Sequence, residues 1–532
     1  MSTRKKISGN IFCFTALLLF VTACGDDFFD RPPLDQIVED NFYQTEQDLA
    51  MATAPLYNSA WFDFNDKAKI EVGDARAGNM LTNDPGRMQF VLFSTHSSNE
   101  RLNEMWRSLY LVITNANLQM NNIAEKASED IPEMVRLHRI AEARFMRGTA
   151  YYYLASLWGD VPIITRTEHV LQNPNQRRNP REDVLNFAIR DLEFAAEHLV
   201  LSDADGRVTE WSAKGMLARL YLTRAHFNSN GGALVESDLQ KAREHARDVI
   251  HSSGARLMDD YADLFMRRNN NNPESLFALQ WVFGADEWGT HNSTQAYYAV
   301  EARLTGAGDG WGGGTSVSAW LIDLFGGPET EDQRRKATFM LDGDHYPELL
   351  QSQGGYTYEG EIAPIKKYVI GTAADNDGNV GFMETDINTY MLRLAEVYLT
   401  YAQAILGNNA QTSDSEALYY FNQVRTRAGL DPLSSITYID IFEEKWKELA
   451  YEAQNWYELV RLFNWQPQKA VSIVESQNRN TSFTYTRAGG LEMEDPPSAI
   501  SPNESDFRLQ YPEAEVTVNP YFLDPPEPYE FD

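Results

Sequence analysis

The stretch Tyr438 to Asn464 places Phe442, Trp446, Leu449, Ala453, Trp456, Val460 and Phe463 at alternating steps of four and three. That is the period of an α-helix, and it gathers these side chains on one face. A chain built from such stripes must give each helix an apolar surface to lie on, so helix-on-helix packing governs what it can fold into. The same periodicity covers Asn103 to Glu125, Ile131 to Trp158, Arg181 to Leu199, Thr209 to Asn228, Ser237 to Ser252, Asp386 to Leu406 and Ser413 to Ala428. Over Asp386 to Leu406 two stripes coexist, Met391-Ala395-Tyr398-Ala402-Ile405 and Leu394-Val397-Tyr401-Ala404. A helix apolar on two faces is sandwiched between neighbours, as in stacked helix pairs. Gly215, Ala218, Leu222 and Ala225 form a face small enough for another helix to come close. Eight long helices in four pairs predict a mostly α, tetratricopeptide-like helical repeat scaffold. The argument is one of stacking, because no strict repeat period is present.

The rest of the chain punctuates that scaffold. Residues 253–385 and 465–532 are rich in Gly, Asn, Pro and aromatics, with Asn269 to Asn272 ending in Pro273 and a glycine-rich run around Trp311. These predict large irregular loop insertions with short strands, such as Ser275 to Val282. Loops of this length generally carry function or pack on a scaffold.

The N-terminus sets the compartment. Arg4, Lys5 and Lys6 precede an apolar run from Ile11 to Val21, and small residues follow, ending in Ala23 and Cys24. The run is too short to span a bilayer and reads as a signal peptide, residues 1–23. Val21-Thr22-Ala23-Cys24 resembles a bacterial lipobox, which makes Cys24 the lipidation site and residues 24–40 a lipidated tether. Acyl chains on that cysteine would anchor the protein to a membrane without any spanning helix. Gly25-Asp26-Asp27 resembles the acidic signal that sends lipoproteins to the outer face of the outer membrane.

Charge narrows the partners. Asp and Glu number 77 against 46 Lys and Arg, a formal charge of −31. No nucleic-acid partner is expected, because a phosphate backbone needs a basic patch. Cys13 and Cys24 are the only cysteines, too few for a disulfide framework. There is no H-E-x-x-H pair, G-x-S-x-G elbow or Walker loop, so no catalytic residue, metal or cofactor is expected. Asp375, Asp377 and Asn379 open like a calcium loop, but Val380 stands where glycine is needed, and the segment reads as a turn.

Several segments resemble one family in order along nearly the whole chain. Asp26-Asp27-Phe28-Phe29-Asp30 with Pro32 and Pro33, Trp106 to Asn117, and Glu142 to Ile164 (EARFMRGTAYYYLASLWGDVPII) come first. Leu392 to Ala404, Val424 to Leu430 (VRTRAGL) and Glu444 to Arg461 follow. These resemble the SusD/RagB family of nutrient-binding outer-membrane lipoproteins of Bacteroidetes. The chain departs from the family pattern at Gln403, where an acid is usual, and at Ala453, where glycine is usual. Asn455 and Glu458 replace an Arg and an Asp, and the usual C-terminal Q-N-P-G-Y ending is missing. The resemblance implies a binding protein and not an enzyme. It implies a lid on a SusC-like TonB-dependent β-barrel transporter that captures an oligosaccharide or polysaccharide and hands it over. A peptide or other nutrient is the alternative ligand, and a repeat-based protein-interaction adaptor the alternative role.

In domain terms, residues 41–252 form an N-terminal helical region, 253–385 a loop-rich ligand-binding insertion, 386–464 the C-terminal helices and 465–532 an irregular end. Sugar faces stack on exposed aromatic rings, and hydroxyls bond to Asn, Asp, Arg and Gln. The candidates on that ground are the loop aromatics Trp61, Trp288, Trp311, Tyr356 and Tyr358 and the polar group Asp74, Arg76, Asn79, Asn83 and Asp84. Trp106, Trp158, Trp211, Trp446 and Trp456 lie on helical stripes and are expected in the core.

Overall fold

A computed structural model of the chain describes residues 42–285, 288–479, 481–493 and 500–531. The signal peptide, Cys24 and the tether to residue 40 lie outside the described residues. Eleven helices frame the described part: α1 (Glu46–Thr53), α2 (Glu100–Lys126), α3 (Glu133–Leu157), α4 (Arg181–His198), α5 (Glu210–Phe227), α6 (Glu236–Ser252), α7 (Leu394–Leu406), α8 (Ser415–Arg427), α9 (Tyr438–Leu449), α10 (Asn455–Trp465) and α11 (Pro467–Ser476). Each of α2 to α6 packs on the next in chain order. α7 continues the stack between α6 on one side and α8 on the other, as its two apolar stripes require. Along α7 only Tyr398 and Ile405 of those stripes are less than fully buried. The helices run from 27 residues in α2 to 8 in α1, so the stack is defined by which helix rests on which.

Buried charge pairs tie the layers together. Arg147 on α3 grips Asp191 on α4 with two bonds of 2.7 and 2.8 Å. Arg219 on α5 does the same to Glu396 on α7 and also donates to the Met391 carbonyl. Gln403 accepts from Lys445 at 2.7 Å, so the amide at this position serves a buried cation.

Two expected helices are shorter than their sequence patterns. Asp386 to Leu406 becomes helical only at Leu394. Thr389–Arg393 is a strand paired antiparallel with Ser275–Leu279, and all five of its residues are buried. The small face of α5 receives this strand pair together with α7: a Cβ on Gly215 would lie 2.6 Å from the Leu392 side chain and 3.6 Å from that of Val397. Tyr438 to Asn464 is two helices, α9 and α10, separated at residues 450–454. The Asp74 carboxylate causes the break, accepting the Tyr451 N–H at 2.8 Å and the Ala453 N–H at 2.9 Å. Burial pushes that carboxyl up to about 6, even though Asn79 and the two backbone donors favour its charge. The last carbonyls of α9 are satisfied by cations and a phenol: Arg393 and Tyr261 reach Glu448 O at 2.7 Å each, and Lys367 reaches Ala450 O at 2.6 Å. The C-terminal region is also less irregular than expected. It contains α11 and a hairpin of Phe483–Thr486 with Gly490–Met493.

Tyr451 and Ala453 sit at φ 61° and 60°, in the left-handed region. This conformation costs a non-glycine residue about 1–2 kcal/mol, and glycine gives part of that back through its freer unfolded chain. Ala453→Gly should therefore raise the stability by about 0.5–1 kcal/mol, read as a higher urea midpoint at unchanged m-value. A lower midpoint would show that the alanine methyl packs better than the backbone is strained.

Candidate functional site

Two short strands close a cleft on the loop side of the scaffold. Met80–Thr82 pairs antiparallel with Thr315–Val317, in register Met80 to Val317 and Thr82 to Thr315. This pairing brings Asn83 and Asp84, which follow the first strand, beside Trp311 and Gly314, which precede the second. Asn83 N–H donates to Gly314 O at 3.0 Å. The glycine-rich loop lies flat against the chain at 296–302, with Trp311 N–H on Ala296 O at 2.7 Å and Gly312 N–H on Ala299 O at 2.8 Å. A Cβ at Gly312 would stand 2.3 Å from the Tyr298 carbonyl, so only glycine permits this approach. Backbone bonds on both sides thus hold the Trp311 ring outward, where it is 49% exposed.

The cleft encloses about 820 Å³. Its aromatic side is Trp311 with Tyr297, 5.6 Å between ring centres, and the exposed Phe382 stands 5.8 Å from Trp311, edge to face. Its polar side carries Lys67, Asn83, Asp84, Arg87, His96 and Arg101. Two π-helical turns, Phe64–Ala68 and Glu71–Ala75, shape the floor beneath Lys67 and Glu71; such turns recur at functional sites.

The charges here are compensated within the wall. Arg87 forks onto Glu71 at 2.6 and 3.1 Å and donates to Thr315 Oγ1 at 2.6 Å. Arg101 pairs with Glu104 at 2.6 Å. Asp84 caps the turn Pro85–Val91 by accepting Arg87 N–H at 2.7 Å. Burial raises the Tyr297 phenol and the neighbouring Asp66 adds to the effect, so Tyr297 stays a neutral donor. The surface therefore offers aromatic faces and oriented hydrogen-bonding groups with little net charge, which suits an uncharged polyhydroxylated ligand.

Of the residues expected from sequence, Asn83, Asp84 and Trp311 meet in this cleft. Trp288 is 64% exposed but stands apart, against His291 at 4.5 Å and Phe62 at 5.7 Å. Its loop is linked to the cleft through Glu384, which accepts Gly284 N–H at 2.7 Å two residues beyond Phe382. The others are buried and do not line this cleft. Trp61 is fully enclosed, its indole N–H on Leu56 O at 3.0 Å. Asp74 and Asn79 hold the break between α9 and α10, with Asn79 also accepting the Trp446 indole N–H at 2.7 Å. Tyr356 and Tyr358 are buried, the latter bonded to Ile362 O at 3.1 Å. Arg76 is buried between Phe93 and Trp456. Trp106, Trp158, Trp446 and Trp456 are in the core as expected; Trp211 is only half-buried, with Lys214 over its ring.

Phe382 and Tyr297 were not among the expected residues. Phe382 has a weak signal, an aromatic following a glycine in a polar loop; Tyr297 has none, because its role depends on which loop it faces. Asp375 is not part of an ion site: it accepts backbone N–H groups from Leu350, Gln351 and Thr372. Among the described residues no group of three or more His, Cys, Asp or Glu could hold a metal.

The fold has counterparts. The sequence model of the SusD family matches residues 273–523, and one described as starch-binding associating with outer membrane matches residues 27–222. The chain belongs to the SusD family. It is 40% identical to a SusD-like protein of Bacteroides ovatus across 97% of each chain. A structure solved with xylogluco-oligosaccharide superposes with a TM-score of 0.85 at 40% identity, over 91% of this chain and 99% of that one. The starch-binding protein SusD of Bacteroides thetaiotaomicron is 23% identical over 70% of this chain and 72% of its own.

Proposed function

We propose that the protein is a lipid-anchored surface protein, without catalytic activity, that captures an uncharged oligosaccharide in the Trp311 cleft. The observation that carries this is the exposed Trp311–Phe382 pair facing Asn83 and Asp84 across a wall whose charges are internally paired. The relative solved with xylogluco-oligosaccharide and the starch-binding relative support a carbohydrate ligand. The family resemblance supports delivery to a SusC-like TonB-dependent β-barrel at the outer membrane, with Cys24 as the anchor. Among the described residues no helix is long and apolar enough to cross a membrane. Residues 253–385 act as the ligand-binding insertion, completed by the strand and turn at 80–84.

Calorimetric screening of neutral oligosaccharides, sulfated or uronate oligosaccharides and short peptides tests the ligand. Binding of neutral glycans that is lost in Trp311→Ala is the expected result; binding confined to peptides, or turnover of any glycan, overturns it. For the anchor, Cys24→Ser should move the protein from the membrane to the soluble fraction, and retention of the variant in the membrane would refute lipidation at this residue. Co-isolation with a large β-barrel from gently solubilised membranes tests the transporter partner.

A further inference from the structure

A second cleft of about 600 Å³ opens next to the first. The segment 93–98 divides them: Phe93 and Thr95 line the second, His96 and Ser98 the first. Arg76 lines the second cleft while only 3% exposed, its guanidinium carbon 5.0 Å from the Phe93 ring and 5.0 Å from the Trp456 ring. It donates to Thr95 Oγ1 at 3.3 Å and to Asp506 O at 2.6 Å, both neutral acceptors, and its Nε has no acceptor. Arg479 lies behind, 2% exposed and 4.4 Å from the same Phe93 ring. Its bonds go to Gln477 Oε1 at 2.8 Å and Val91 O at 3.1 Å, again neutral, and one Nη is without an acceptor.

Other buried guanidiniums of this fold, those of Arg147, Arg219, Arg334 and Arg393, are matched by carboxylates. Here two buried guanidiniums share one aromatic ring and neutral partners, an arrangement that costs free energy unless an anion approaches. Burial lowers both, Arg76 to about 10, with Asp506 restoring Arg76 in part and Arg76 depressing Arg479 further. The acids facing the cleft are Glu504 and Asp506, and Asp506 already caps Asn503 N–H at 2.8 Å. Exposed Arg508 sits on the rim.

We propose that this cleft is an oxyanion site, in which Arg76 and rim Arg508 bind a sulfate, phosphate or carboxylate group, free or carried on a sugar. Guanidinium donors match such groups in geometry and charge, and the cleft is wide enough for the group's carrier. The site is separate from the Trp311 cleft, and its existence does not depend on the ligand bound there.

The test is calorimetry of the full mature chain with sodium sulfate and, separately, galactose 6-sulfate, at constant ionic strength in chloride. Saturable binding with one site per chain is expected for at least one of them. Arg508→Gln should weaken it about tenfold, and Arg76→Gln should remove it. Equal affinity for the two probes identifies a free anion as sufficient, and tighter binding of the sugar sulfate identifies a sugar-borne group. If Arg76→Gln does not fold, Arg508→Glu carries the test on its own, because its side chain is outside the core. Absence of saturation with either probe, unchanged affinity in Arg508→Glu, or loss of sulfate binding in Trp311→Ala would each overturn the proposal.

Discussion

Glu448→Ala is expected to destabilise the fold by about 3–5 kcal/mol, the cost of removing one partner from a buried ionic network. Glu448 is fully buried at the end of α9 and accepts from Arg393 at 2.6 Å, from Arg334 at 3.0 Å and from Arg427. Arg393 is also held by Glu274 at 2.8 Å and by Glu452, and Glu452 in turn by Lys367 at 2.8 Å. Arg334 further pairs with Asp332 and Glu444 at 2.7 Å each. Truncation leaves three buried guanidiniums short of a carboxylate, whereas Glu448→Gln keeps an acceptor and should cost less. Urea denaturation followed by far-UV circular dichroism measures both, and an alanine variant within about 1 kcal/mol of wild type would refute the account.

The same carboxylate sets an acid limit. Burial alone would raise Glu448, but Arg427, Arg393 and Arg334 together hold it well below the usual range. Glu452 and Glu142 are likewise lowered by their cations against burial. A carboxyl that titrates near 4.5 when unfolded and lower when folded binds more protons in the unfolded state. Its stabilisation is fully present above that pH and is lost as the pH falls through the folded value. Stability should therefore decline below about pH 4.5, and less steeply in Glu448→Ala; parallel slopes would show that the decline arises elsewhere.

Trp311→Ala should weaken oligosaccharide binding about 30-fold or more, some 2 kcal/mol, with little change in thermal midpoint. The ring is half exposed and contributes little to the core, but it is the centre of the aromatic side, touching both Tyr297 and Phe382. Trp288→Ala should have a smaller effect, because that ring lies outside the cleft. Calorimetry with the best neutral glycan from the screen decides this. Equal losses at the two positions would place the ligand across both loops, and no loss at Trp311 would remove the cleft from consideration.

Periodicity located the long helices to within a few residues, because each stripe is satisfied by the neighbour it predicts. It failed where a distant residue overrode a local preference. Ala453 is a strong helix former, and nothing near it in sequence reveals that Asp74, nearly 400 residues away, will take two backbone N–H groups there and split α9 from α10. The family pattern held the one hint, a glycine at that position. The start of α7 misled for a similar reason: Thr389–Arg393 is apolar enough to extend the helical stripe, but its backbone is claimed by Ser275–Leu279. At the site, residue type found Trp311, Asn83 and Asp84 but could not separate exposed aromatics from buried ones. Trp61 and Trp311 both look like loop tryptophans; one closes a core and the other faces solvent. Tyr297 enters the cleft only through tertiary contacts that the sequence does not encode locally.

The flat seating of the Gly312 loop bears on the thermodynamics of recognition. Backbone bonds on both sides of Trp311 fix its position before any ligand arrives, so docking need not freeze a wandering loop, and the entropic penalty of association is correspondingly small. A rigid, shallow ring selects its partner by shape and leaves room for substituents on the far side of a sugar chain. On such a surface, affinity would follow the conformational stiffness of the glycan backbone more closely than the number of hydroxyl groups it presents.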